Sequence, residues 1–135
     1  MKRLVIVLAL AGCASMQPPV SPEVARLQAF ADSIEPGWQI KTGWANPGYL
    51  ASMVGHKGSI MPGPTIYLRD EVVGTGCADV LIASLFARQQ LWIPQGFGRA
   101  EVDKRVRELM ADHGWTDAQI NAAWRACPTS LTDLR

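Results

Sequence analysis

Three cysteines and two histidines, Cys13, Cys77, Cys127, His56 and His113, carry most of the reactive side-chain chemistry available to this 135-residue chain. Thiolates are nucleophiles and metal ligands, and imidazole exchanges protons near neutral pH. Their spacing argues against most such uses. No CxxC pair occurs and no histidine accompanies Cys77 or Cys127, so a redox motif or zinc site lacks its ligand set. Ser52, Ser59 and Ser84 have no GxSxG frame around them. Asp70-Glu71 and His56 could form an acid-base set, but adjacent residues in extended chain point to opposite sides, so a solvated loop is the expected role of the two carboxylates. These residues assign no catalytic group, no metal ligand and no cofactor.

Cys13 stands apart because of what precedes it. Lys2-Arg3 opens the chain, the apolar run Leu4 to Ala11 follows, and Leu10-Ala11-Gly12-Cys13 closes it. That layout is an export signal, and eight apolar residues fall well short of the roughly 20 needed to span a bilayer. The motif resembles the lipobox of bacterial lipoprotein precursors. The resemblance implies cleavage between Gly12 and Cys13, a diacylglyceryl group on Cys13 and a palmitate-bearing N-terminus. It also implies, from Ala14 rather than Asp after the cysteine, sorting to the outer membrane with the domain facing the periplasm.

With Cys13 committed to lipid, Cys77 and Cys127 are left as a pair outside the cytosol, where a disulfide is the natural use. Closing a loop of about 50 residues should stabilise the fold by about 4 kcal/mol in the chain-entropy model. Cleavage also removes two of the 13 basic side chains, Lys2 and Arg3, and leaves 11 against 12 acidic ones. A nearly neutral chain has no basic excess with which to bind nucleic acid. Residues 1–12 are thus the signal and 13–21 the lipidated start and tether. Residues 22–128 form one periplasmic domain, and 129–135 a tail. The eight-residue tether reaches at most about 25 to 30 Å, which keeps the domain near the membrane.

The elements that must position any site follow from periodicity and punctuation. Ser21-Pro22-Glu23 starts a helix with Leu27, Phe30 and Ile34 on one face, ended by Glu35-Pro36-Gly37. Residues 36–64 are rich in Gly and Pro and predict turns and short extended pieces. Thr65-Ile66-Tyr67-Leu68 reads as a strand. Ala78 to Trp92 reads as a buried core helix. Arg99 to Ala111 reads as an amphipathic helix with Glu101–Arg105 and Asp103–Arg107 pairs outside, closed by His113-Gly114. Thr116 and Gln119 predict a capping box for a last helix carrying Ile120, Trp124 and Cys127. The expected fold is α+β, mainly α: a small single domain of about four helices with a short strand or hairpin and one disulfide.

Strand, buried helix and following helix over residues 64–114 resemble the core of small zincin-type metallopeptidases. In those proteins the buried helix carries HExxH, two zinc-binding histidines with a water-activating Glu between them. Aligning Val80-Leu81-Ile82 and Gln89 with the apolar lead-in and trailing Gln common there sets the HExxH frame on Ala83-Ser84-Leu85-Phe86-Ala87. Glu101 then falls where a third ligand is often found. Ala83 and Ala87 cannot hold a metal, so such a scaffold would keep a groove rather than an activity. Read physically, the same small residues let another helix approach closely.

Five tryptophans remain to be placed. Trp124 belongs with Ile120 in the core, Trp92 ends the buried helix, and Trp115 sits beside a helix start. Trp38, Trp44 and Tyr49, with His56 in Gly55-His56-Lys57-Gly58, are the candidate binding residues, because aromatic side chains in a Gly-rich stretch can stack on a sugar or anchor a partner. The function expected is a lipid-anchored, non-enzymatic binding or assembly component at the periplasmic face of the outer membrane. Its partners would be the membrane, through Cys13, and an envelope protein, with peptidoglycan a further candidate. The alternatives are a degenerate zincin-like peptidase scaffold, and a cell-wall hydrolase or glycan-binding protein whose site follows no familiar motif.

Overall fold

A computed structural model describes residues 21–43, 49–56, 58, 60 and 63–128. Helix α1 (Pro22–Ile34) begins as expected: the Ser21 hydroxyl accepts from the Val24 N–H at 3.1 Å, and Pro22 stands where its missing N–H costs nothing. Its buried face is Leu27, Phe30 and Ala31. Strands β1 (Gln39–Thr42), β2 (Ala51–Val54) and β3 (Thr65–Leu68) form a sheet in the order β1-β3-β2. β1 runs parallel to β3 with Ile40 opposite Ile66, and β2 runs antiparallel with Met53 opposite Ile66. The strand at 65–68 was legible; β1 and β2 lie in the stretch expected to hold turns and short extended pieces.

The open edge of β1 is closed by a side chain. Gln28 on α1 accepts the Ile40 N–H at 2.9 Å and donates to the Trp38 carbonyl at 2.7 Å. Its amide thereby satisfies backbone groups that a further strand would otherwise pair.

A single 3-10 turn (Asp70–Val72) leads into α2 (Gly76–Leu91), whose residues from Cys77 to Arg88 are all buried. A helix buried all round must be covered on every side. Helices α1, α3 (Arg99–Ala111) and α4 (Asp117–Arg125) and strand β2 all pack on it. The fold is α+β and mainly α, with four helices and a small sheet among the described residues. None of these helices is long and apolar enough to cross a membrane.

Cys77 and Cys127 form the expected disulfide, S–S 2.07 Å, tying the first turn of α2 to the end of α4. Beside it the helices touch closely: a Cβ at Gly76 would lie 3.2 Å from that of Ala123. Thr116 and Gln119 make the reciprocal capping box. Asp103 and Arg107 pair at 2.8 Å, but Arg105 turns to Glu108 and Gln90, 3.0 and 2.9 Å away, in place of Glu101. The two acidic choices lie about one turn either side of Arg105, and Glu108 lies on the side that also offers Gln90.

Candidate functional site: an exposed aromatic corner

Helix α2 ends without the glycine that such an end usually has. Trp92 takes the left-handed conformation instead, φ 56° and ψ 36°, and its N–H is donated to the Arg88 and Gln89 carbonyls. Among the described residues it is the only non-glycine with positive φ. The conformation costs about 1–2 kcal/mol for a side chain bearing a Cβ, and burial does not offset it, since Trp92 is 91% exposed.

The turn that follows is held from inside. Arg88 is buried, and its Nη1 donates to the carbonyls of Pro94 at 2.8 Å and Phe97 at 2.9 Å. Gly98 lies so close to Ile93 that a Cβ there would come within 2.9 Å of two side-chain carbons. These contacts fix a turn on which Phe97 is 66% and Leu91 39% exposed. Next to the indole is a cleft of about 540 Å³ walled by Met53 of β2, Leu85 and Gln89 of α2, and Ile93. Two exposed aromatic rings on a braced turn, beside an apolar cleft with amide groups at its edge, suit an apolar anchor or a flat sugar ring.

The corner lies at the far end of α2 from the point where the N-terminal helix grips it with an arginine. Arg26 of α1 contacts Asp79 in the first turn of α2. The thirteen residues from Asp79 to Trp92 span about 20 Å at the rise of an α-helix.

The candidate binding residues read from sequence do not gather here. Trp38 is 2% exposed, its indole N–H donating to Glu35 at 2.7 Å and its ring meeting Phe86 edge-on with centroids 6.3 Å apart. It is a core residue, which corrects its place in an aromatic surface. Tyr49 is half-buried against the core, and His56 is exposed just past β2. Cys13 and Trp44 lie outside the described residues. Glu71 pairs with Arg69 at 2.8 Å, and neither Asp70, Glu71 nor His56 borders the cleft beside Trp92. The five positions of the HExxH frame, Ala83 to Ala87, are buried in α2. No group of three His, Cys, Asp or Glu side chains among the described residues is placed to hold a metal ion. Comparison of the chain with protein-family models, with curated proteins and with solved structures finds no match in any of the three.

Sequence reasoning missed Trp92 because the residue was assigned to the end of a buried helix. The available signal was the run Leu91-Trp92-Ile93-Pro94: proline must stop the helix, and with no Gly or Asn before it a bulky residue has to occupy the cap.

Proposed function

We propose that this chain is a lipid-anchored component of the bacterial cell envelope, attached through Cys13 to the periplasmic face of the outer membrane, and that it binds an envelope protein through the corner formed by Leu91, Trp92 and Phe97. The carrying observation is Trp92, 91% exposed in a strained cap whose adjoining turn is braced by a buried arginine. Strain that burial does not offset is the mark of a residue kept for what it touches. Rigid aromatic side chains are also the usual anchors of protein interfaces. The described chain begins at Ser21, five residues before Arg26, whose contact with Asp79 lies at the opposite end of α2 from the corner. A second reading is a glycan surface, because an exposed indole stacks equally well on a sugar.

A photo-crosslinking residue at position 92, introduced in cells, tests both readings. It should give a discrete protein adduct, whereas the same probe at exposed Lys104 should not. Trp92→Ala with Phe97→Ala should abolish an adduct made from Leu91. Capture of purified peptidoglycan without any protein adduct would favour the glycan reading, and neither product would overturn the corner as a binding surface. Fatty-acid labelling of the wild type but not of Cys13→Ser tests the anchor separately.

A further inference from the structure

The aromatic corner carries a projection and a recess side by side. Trp92 stands exposed on the rim of the cleft of about 540 Å³ that it borders with Met53, Leu85 and Ile93. Phe97, on the same braced turn, adds a second exposed ring. A partner unlike this chain would have to bring both a pocket for the indole and a side chain for the cleft. A second copy brings both, because a two-fold axis passing between ring and cleft sets each indole against the other copy's recess, the self-complementary contact of an isologous dimer. The rim has the polarity that such a contact needs. Each group near a two-fold axis meets its own kind, so a charged rim repels itself, whereas a neutral amide is donor and acceptor at once and pairs with its copy. Among the described residues that line the cleft the one charged side chain is Arg88, which is buried and has its Nη1 engaged by the Pro94 and Phe97 carbonyls. The half-buried polar groups are the amides of Gln89 and Gln95.

We propose that the corner pairs with a second copy of this chain, each Trp92 indole seated in the other copy's cleft. The pairing rests on the corner being a protein-binding surface, and it identifies the protein bound there. The area suffices. Trp92 and Phe97 are 91% and 66% exposed, and aromatic side chains of about 150–250 Å² each at those exposures leave roughly 300 Å² to bury per copy. With the surface that the rings cover in return, two paired corners bury about 1,200 Å², the lower bound for specific interfaces. Arg88 already holds the turn, so little ordering cost opposes docking.

Photo-crosslinking in cells that express two differently tagged copies of the full chain tests the pairing. With the probe at Leu91, an adduct of twice the chain mass that carries both tags is expected, and the same probe at exposed Lys104 should give only the background of chance encounter. Trp92→Ala with Phe97→Ala in both copies should cut the doubly tagged yield about tenfold or more, as loss of central aromatic anchors does. Should that variant fail to fold, the half-buried Gln95 provides the second test: Gln95→Glu in both copies sets like charges against each other and should lower the yield similarly, while Gln95→Glu in one copy with Gln95→Lys in the other should restore it. An adduct to a different protein with no doubly tagged product would overturn self-pairing and leave the corner a protein-binding surface. Absence of any protein adduct would remove that reading of the corner and the pairing with it. Equal doubly tagged yields from positions 91 and 104, or a yield unaltered by every replacement, would also overturn the pairing.

Discussion

Arg26 on α1 grips Asp79 on α2 with both ends of its guanidinium, Nη1 to Oδ1 at 2.8 Å and Nη2 to Oδ2 at 2.9 Å. Asp79 is 1% exposed, whereas the Arg26 side chain is 48% exposed. The carboxylate lies in the first turn of α2, where the helix end favours negative charge. The pair fastens α1 to the helix at the centre of the core.

Arg26→Ala should therefore destabilise the domain by about 2–3 kcal/mol, less than the ~3–5 of a wholly buried pair because water reaches the arginine. Adding Asp79→Asn to that variant should cost little more, since the stranded buried charge is then gone. Denaturant unfolding of the two single variants and the double variant measures the coupling, and additive effects would show that the pair contributes nothing specific. Arg26 also holds Glu23, at 2.6 Å, which lowers the Glu23 pKa through that hydrogen bond. The contribution of Glu23 should be complete above its unfolded pKa of about 4.3 and fade as pH falls through the lower folded value.

Trp38 tests the core. Truncation of this 2% exposed indole to Ala should cost about 3–5 kcal/mol, through lost burial and a cavity beside Phe86. A thermal midpoint within a few degrees of wild type would return Trp38 to the surface.

The contrast between Trp38 and Trp92 shows which parts of the fold could be read from sequence. Ser21, Thr116 with Gln119, and the stripe Val102, Val106, Leu109 act within one or two helical turns, and the elements they mark fall where expected. β1 carries no such local mark. Its edge is completed by Gln28, twelve residues earlier on another element, so its pairing is a tertiary fact. The Cys77–Cys127 bridge was legible because two partners were left once Cys13 was set aside. The corner was not. Exposure at a helix end depends on whether the next segment folds over it, and that is decided by Arg88 reaching from the core to Pro94 and Phe97.

The strained cap yields the sharpest expectation. Glycine adopts the left-handed conformation without the penalty borne by a residue with a Cβ, and Trp92, at 91% exposure, has little burial to lose. Trp92→Gly should therefore stabilise the domain by about 0.5–1 kcal/mol, the relief of about 1–2 kcal/mol of strain less the larger backbone entropy of unfolded glycine. The same variant should lose the cross-link to a partner made from Leu91. Urea unfolding and cross-linking on the same two proteins decide the matter together. A gain in stability with loss of binding means that the indole is kept for its contacts at the expense of the fold. A fall of more than about 1 kcal/mol would mean instead that the indole packs against the turn and braces it, since exposed substitutions ordinarily stay within about 0.5 kcal/mol.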